Sequence, residues 1–145
     1  MDFTSLIDLA AARTGGKALA ASDDFFAPKE NLLKAPKAVW LADKYTPRGK
    51  WMDGWESRRK RVPGHDWCEV KLGLRGVIRG VNIDTAFFTG NFPSHASLEA
   101  RDGKGAWVEV LPKSVLKGGS DNLFPIKVDA AFDAVRLNIF PDGGV

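Results

Sequence analysis

Apolar and polar residues alternate along the second half of the chain, which is the pattern of half-buried β-strands. From residue 66 onward, Cys68, Val70 and Leu72 share one face of a predicted strand, and the residues between them take the other face. The same alternation returns in Val81 and Ile83, in Ala96, Leu98 and Ala100, in Val108 and Val110, in Phe124, Ile126 and Val128, and in Val135, Leu137 and Ile139. Strands in such close succession predict antiparallel sheets.

Clusters of glycine, aspartate and asparagine separate the predicted strands, at residues 102–105, 117–122 and 140–144. Clusters of this kind suit hairpins and the edges of β-sandwiches. No long helical segment interrupts the strands. The pattern therefore predicts an all-β fold, and a jelly-roll β-sandwich is the architecture that it favours.

The residues before the strands have a different character. The spacing of Leu6, Leu9 and Ala10 predicts a short N-terminal helix, which Thr4 or Ser5 would cap and the glycines at 15 and 16 would end. Residues 22–64 have no sustained period and are rich in Pro, Gly, Asp, Lys and aromatic residues, so they predict a long irregular loop region. Long loops in a small domain commonly carry function.

Composition excludes several classes of protein. A chain of 145 residues fits one globular domain, and we find no internal repeat within it. A single cysteine, no targeting segment and no apolar run of membrane-spanning length predict a cytoplasmic protein without membrane contact. The net charge of +3 is concentrated in residues 58–61 rather than on a broad basic face, so no nucleic-acid partner is expected. Residues 142–145 are expected to form a turn, after which a further strand should begin.

The densest group of chemically versatile residues lies in residues 50–67, which contain three tryptophans beside acidic, basic and imidazole side chains. One interpretation is a functional loop; the other is that Trp51, Trp55 and Trp67 plug the mouth of the sandwich while the charges form surface ion pairs. No metal-ligand spacing of histidines or cysteines is present, so the sequence predicts no metal site. Ser57 and His65 lack the glycine-flanked elbow of a serine hydrolase.

Two further segments, residues 22–28 and 82–93, place acids beside paired phenylalanines. Asp84 follows a predicted strand, so its carboxylate is expected at an edge of the sandwich, where sites are commonly built. The alternative is a loop acid that accepts hydrogen bonds from backbone N–H groups. His95 is expected to be a surface histidine.

These segments together carry a family resemblance. Residues 49–61 (GKWMDGWESRRKR) and 64–68 (GHDWC) closely resemble the allantoicase family, as do residues 22–28 (SDDFFAP), 31–33 (NLL), 84–93 (DTAFFTGNFP) and 136–144 (RLNIFPDGG). The resemblance implies that residues 1–145 are one allantoicase repeat with a galactose-binding-like jelly roll. It also implies a whole protein of two repeats, the second being absent from this chain.

The resemblance further implies hydrolysis of allantoate to ureidoglycolate and urea in allantoin degradation. The partners that it implies are this small-molecule substrate and a second repeat or a homo-oligomer. It implies no cofactor, and it leaves a divalent metal as an open alternative.

The reaction suggests roles for residues in the matching segments. A guanidinium group matches a carboxylate, so Arg58, Arg59 or Arg61 is expected to anchor allantoate. His65 is the expected proton-transfer residue, because histidine titrates near neutrality. The carboxylates expected at the reacting centre are Asp53, Glu56 and Asp84. The other expected substrate-binding residues are Asp23, Trp51, Trp55, Asn91 and Arg136.

A non-catalytic ligand-binding module is the main alternative, since galactose-binding-like sandwiches often serve as sugar-binding or lipid-binding appendages. Such modules usually occur in secreted chains, and neither the N-terminus nor the single cysteine favours secretion. The motifs therefore favour the enzyme.

Overall fold

The computed structural model describes residues 3–34 and 37–145, which form a β-sandwich. The strands are β1 (Lys17–Ala21), β2 (Tyr45–Thr46), β3 (Gly49–Lys50), β4 (Asp66–Val77), β5 (Gly80–Asn82), β6 (His95–Arg101), β7 (Val108–Val115), β8 (Leu123–Pro125) and β9 (Ala131–Phe140). Three 3-10 helices cover Phe3–Ser5, Ala12–Thr14 and Lys29–Leu33. Within the described ranges, no helix has the length and apolar content needed to span a bilayer.

One layer is a five-stranded sheet in the order β1-β4-β9-β6-β7, and every neighbouring pair is antiparallel. Cys68, Leu137 and Leu98 stand opposite one another on three adjacent strands, and all three are buried. Alternate residues of each strand point to the same face, so this apolar row covers the inner side of the sheet. In β4, β6 and β9 the alternation in the sequence therefore identified the core correctly, whereas in β7 Val108 is exposed and Leu111 is buried beside Val110.

The opposing layer is the two-stranded sheet β5-β8 together with loop residues. Ile83 and Ile126 adjoin these short strands and belong to the same buried cluster as the inner face of the large sheet. Trp55 and Val145 join that cluster from the loops, and each donates a backbone hydrogen bond of 2.8 Å to the other. Loop residues thus complete the sandwich where strands are short.

The predicted N-terminal helix is wrong. Residues 3–14 contain two separate 3-10 turns instead of one helix; Leu6 and Ile7 remain 44% and 69% exposed, while Leu9 and Ala10 pack against the core. Asp8 interrupts the segment, because its carboxylate accepts backbone hydrogen bonds at residues 10 and 11. Only the predicted end is observed: Gly15 adopts φ +106° after the second turn.

Two other strand predictions differ from the structure. Strand β1 was missed, since its sequence KALAA offers small side chains and weak contrast between its two faces. The predicted strand through Phe124, Ile126 and Val128 is shorter than expected: β8 ends at Pro125, which has no backbone N–H to donate. The irregular stretch 22–64 is largely as expected, with one 3-10 helix and the small β2-β3 hairpin within its described residues.

Strand direction brings most of the loop residues of interest to one end of the sandwich. Strand β1 ends where β4 begins, and Ser22 N donates to Trp67 O at 2.9 Å. Strand β9 ends beside the start of β6, where Ser94 N donates to Phe140 O at 3.0 Å. We call this the loop end; residues 22–34, 37–65, 83–94, 116–122 and 141–145 meet there. The 3-10 turns at 3–14 belong to the opposite end.

Candidate functional site

Glu56 lies at the centre of the loop end. Its backbone pairs with Ala27 on one side and Gly144 on the other, in two isolated antiparallel bridges. Its side chain lines a cleft of about 220 Å³ whose other lining residues are Phe26, Arg48, Gly49, Lys50, Met52 and Asn91. Three loops that are distant in sequence therefore hold this carboxyl group in place.

Burial raises the pKa of Glu56 above its ordinary value. The Asn91 Nδ2 group donates a hydrogen bond of 2.7 Å to Glu56 Oε2, which lowers the pKa, but the effect of burial is larger. Glu56 therefore keeps its proton to a higher pH than an exposed glutamate does. A carboxyl group of this kind is suited to act as a general acid.

Asp23 and Arg58 form an ion pair beside the cleft. Arg58 Nε donates to Asp23 Oδ2 at 3.0 Å, and the backbone N–H groups of Phe25 and Arg58 donate to Asp23 Oδ1 at the same distance. Burial by itself would raise the pKa of Asp23, but these hydrogen bonds and the Arg58 charge together lower it. The pair is thus ionised, and the Arg58 side chain is engaged by a carboxylate of the protein.

Trp51 and Trp55, the two tryptophans that were expected to bind substrate, have different environments. Trp55 is fully buried, and its indole N–H donates to Asp23 O at 2.8 Å. Trp51 is half-buried beneath two ammonium groups, those of Lys34 at 5.7 Å and Lys44 at 4.3 Å from the ring. For Trp55 the structure agrees with the interpretation that the ring closes the end of the sandwich, since no surface of the ring remains exposed for a ligand.

Sequence reasoning missed two cations that line the cleft, Arg48 and Lys50. Both belong to the β2-β3 hairpin, where Tyr45 pairs with Lys50 and Thr46 with Gly49. The available signal was the turn sequence Pro47-Arg48-Gly49, in which Gly49 adopts φ +133°. A hairpin at this place brings the residues just before the tryptophan motif back over the loop end.

Asp53 and Asp84 do not line this cleft. Asp53 accepts hydrogen bonds from Lys34 Nζ at 3.1 Å and Val39 N at 3.0 Å. Asp84 Oδ1 accepts one from Ala86 N at 2.8 Å, which is the backbone-capping role considered as the alternative. Both acids line a second cavity of about 450 Å³ whose walls are mostly apolar core residues.

His65 and Arg136 lie towards the outer face of the large sheet. His65 Nε2 is 3.1 Å from Asn138 Oδ1, and its ring lies 4.7 Å from the ring of Phe140. Arg136 pairs with Glu99 at 3.8 Å and stacks over Trp107 at 4.3 Å. Neither residue lines the Glu56 cleft, so the structure separates the expected proton-transfer residue, His65, from Glu56.

The remaining expectations fall at exposed or unrelated positions. Arg59 and Arg61 are exposed, and neither forms an ion pair within the described residues. His95 is half-buried rather than on the open surface, with its Nδ1 2.9 Å from Ser94 Oγ. No group of three or more His, Cys, Asp or Glu in residues 3–34 and 37–145 is arranged to hold a metal ion.

No serine triad is assembled. Ser57 Oγ accepts a hydrogen bond from Gly143 N at 3.2 Å, and His65 bonds to Asn138 instead of to Ser57. Asp66 is buried and accepts from Ser22 Oγ at 2.8 Å. The cleft that contains Glu56, Asn91 and Arg48 instead brings a carboxyl group of raised pKa together with an amide and a guanidinium group.

Comparisons with known proteins identify the family. The Allantoicase repeat family model matches residues 7–145. The probable allantoicase 1 of Burkholderia mallei is 51% identical over 146 residues, which cover 96% of this chain and 43% of that protein. The crystal structure of allantoicase from Saccharomyces cerevisiae superposes with a TM-score of 0.82 at 31% identity, over 95% of this chain and 45% of that one.

A more distant likeness concerns the fold alone. A family 32 carbohydrate-binding module from a Clostridium perfringens glycoside hydrolase superposes with a TM-score of 0.67 at 12% identity, over 94% of this chain and 88% of the module. The galactose-binding-like jelly roll expected from the resemblance is thereby confirmed. The chain spans less than half the length of the two allantoicases it matches. On the family model and the sequence identity, the chain belongs to the allantoicase family.

Proposed function

We propose that this chain takes part in the hydrolysis of allantoate to ureidoglycolate and urea, as one repeat of a protein that contains a second. The observation that carries the proposal is Glu56, a half-buried carboxyl group with a raised pKa in a cleft of the loop end. Family membership supports the choice of substrate. The corresponding cellular role is the release of nitrogen from purines, through allantoin degradation, in the cytoplasm.

The reaction needs a proton donor when urea leaves and a proton acceptor when water adds. One carboxyl group can serve in both steps. Allantoate carries a carboxylate and two ureido groups on one carbon, and urea leaves only after its nitrogen is protonated. Protonated Glu56 donates to that nitrogen as the C–N bond breaks, and the nitrogen of the remaining ureido group stabilises the electron-poor carbon. Water then adds to the carbon and returns a proton to the Glu56 carboxylate. One water is consumed, and Glu56 ends in its original state.

The surroundings of Glu56 suit both steps. Asn91 holds one carboxyl oxygen by its 2.7 Å hydrogen bond, which leaves the other oxygen to exchange a proton with the substrate. Phe26 and Met52 give the cleft two apolar walls beside the carboxyl group. Proton transfer of this kind uses no cofactor. The second repeat, or another copy of the chain, is expected to close the cleft and to supply further contacts.

The proposal is tested by measuring urea and ureidoglycolate released from allantoate. The chain is assayed alone, with a separately produced second repeat from the same family, and with added divalent metal. We expect release in at least one mixture and its loss in Glu56→Gln. Activity of the chain alone would mean that one repeat holds a complete site, whereas activity only in the mixture would mean that both repeats contribute.

The same samples test the non-catalytic alternative. A chain that releases no urea in any mixture, and that binds galactose in a calorimetric titration, would contradict the enzymatic proposal and favour a binding module. Circular dichroism of each sample is the control, because an unfolded chain would also release no urea.

A further inference from the structure

Arg48 is a cation in the Glu56 cleft that no carboxylate of the described residues neutralises. Its Nη1 group donates to Phe25 O at 3.1 Å, and it forms no ion pair with any carboxylate of residues 3–34 and 37–145. A guanidinium group carries five N–H donors, so most of the hydrogen-bonding capacity of Arg48 is unused. Its charge and its planar set of donors are available to a ligand in the cleft.

The other cations near the cleft are already engaged. Arg58 is paired with Asp23 at 3.0 Å. The ammonium group of Lys50 donates to the backbone oxygens of Leu41 and Trp51 and lies over the ring of Trp40 at 4.4 Å. These contacts direct Lys50 away from the cleft, although its side chain forms part of the wall. Arg48 is thus the cleft cation that has no carboxylate partner among the described residues and whose exposed guanidinium group can exchange water for a ligand.

Phe25 holds Arg48 in position. The Arg48 guanidinium carbon lies 4.6 Å from the centre of the Phe25 ring, and its Nη1 bonds to the carbonyl oxygen of the same residue. The Arg58 guanidinium also lies over this ring, at 4.7 Å, and Arg58 is in turn fixed by Asp23. A stacked and hydrogen-bonded guanidinium loses less entropy on binding a ligand than a free one does.

We propose that Arg48 binds the carboxylate of the substrate, and that Phe25 is the residue that positions it. This inference rests on the proposed function, because it assigns one end of allantoate within the same cleft. With the carboxylate on Arg48, the tetrahedral carbon and its ureido groups lie towards Glu56. The anchor selects ureido compounds that carry a carboxylate next to the reacting carbon over neutral diureido compounds.

The charge of the cleft agrees with this assignment. When Glu56 is protonated, the guanidinium group of Arg48 leaves the cleft positively charged, which favours an anionic ligand. A guanidinium group can hold a carboxylate through two parallel hydrogen bonds, which also fixes the orientation of the ligand. The arginines at 58, 59 and 61 that the sequence favoured as anchors do not line the cleft.

The test uses Arg48→Gln and Arg48→Lys, with Arg13→Gln as the matched control at the opposite end of the sandwich. Glyoxylate is the carboxylate probe, and urea is the neutral one. Binding is followed in every sample by the NMR signal of the Asn91 side-chain amide, and in the samples that retain Arg48 also by that of its Nε–H; allantoate turnover is measured where a mixture is active. The unperturbed remainder of each spectrum reports that the variant is folded.

We expect glyoxylate to move both signals in the unmodified chain. Arg48→Gln should weaken glyoxylate binding and raise KM for allantoate roughly 10- to 150-fold, because it removes a charge-assisted contact. The effect on kcat and on urea binding should be smaller. Arg48→Lys should restore part of the affinity, since it returns the charge without the planar fork, and Arg13→Gln should match the unmodified chain.

Two outcomes would overturn the inference: glyoxylate affinity unchanged in Arg48→Gln, or an equal loss in the Arg13→Gln control. Its failure is distinguishable from failure of the proposed function. Turnover that depends on Glu56 but not on Arg48 would refute the anchor alone. Glyoxylate binding that depends on Arg48, without urea release in any mixture, would support the anchor and refute the proposed reaction.

Discussion

Replacing Glu56 by glutamine tests the proposed proton transfer most directly. Glutamine keeps the volume of the side chain and an oxygen that can accept the 2.7 Å hydrogen bond from Asn91, so the cleft should keep its shape. What is lost is the acidic O–H proton that the carboxyl group of Glu56 donates to the leaving nitrogen. General acid catalysis contributes typically 10²- to 10⁴-fold, and since the cleft opens to water that can partly replace the acid, we expect kcat to fall about 100- to 1000-fold.

The dependence on pH gives a second, independent readout. The pKa of Glu56 is raised in the folded protein, so the protonated form favours folding at low pH, and that contribution is lost as pH rises through the folded pKa. The free energy of unfolding of the unmodified chain should therefore decline, relative to that of Glu56→Gln, from the ordinary glutamate pKa up to the raised one. Turnover should decline as pH rises through the raised pKa of the folded protein, and Glu56→Gln should lack both declines.

The assays are urea release under saturating allantoate and urea denaturation at a series of pH values. Glu109→Gln, an exposed glutamate on β7, is the control and should behave as the unmodified chain. A kcat within a few-fold of the unmodified value at every pH, in a Glu56→Gln protein of normal stability, would refute the assignment of Glu56 as the acid.

Three further predictions concern residues around the site. Trp55→Phe should lower the free energy of unfolding by about 1–3 kcal/mol, because it leaves Asp23 O without its indole donor; an unchanged denaturation midpoint would contradict this. His65→Gln should lower kcat less than about tenfold, since His65 bonds to Asn138 outside the cleft, and a loss as large as that of a general acid would return the proton-transfer role to His65. Burial raises the pKa of the Cys68 thiol to about 12, so a disulfide reagent at mildly alkaline pH should label this thiol only after denaturation, and fast labelling of the native chain would show the packing to be wrong.

The strands of the large sheet were predictable because their signal is local. In β4 the alternation of Cys68, Val70 and Leu72 with polar neighbours follows directly from the two-residue period of an extended chain. Strand β1 escaped prediction because alanine contributes little contrast between faces, and the N-terminal helix failed because Asp8 bonds to the backbone that a helix would have used. Local signals fail where side chains are small or compete for backbone hydrogen bonds.

The site was predictable only as a set of loops. The sequence by itself determined the β-sandwich, the family and the loop segments whose acids, cations and aromatic residues gather at the loop end. It could not determine which charges pair, because Asp23 and Arg58 are 35 residues apart and His65 and Asn138 are 73 apart. Only the tertiary structure decided that Arg58 is neutralised, that Arg48 has no carboxylate partner among the described residues, and that Glu56 is half-buried. Ion pairing and burial set the charge state of a side chain, and both depend on contacts between loops that no local pattern encodes.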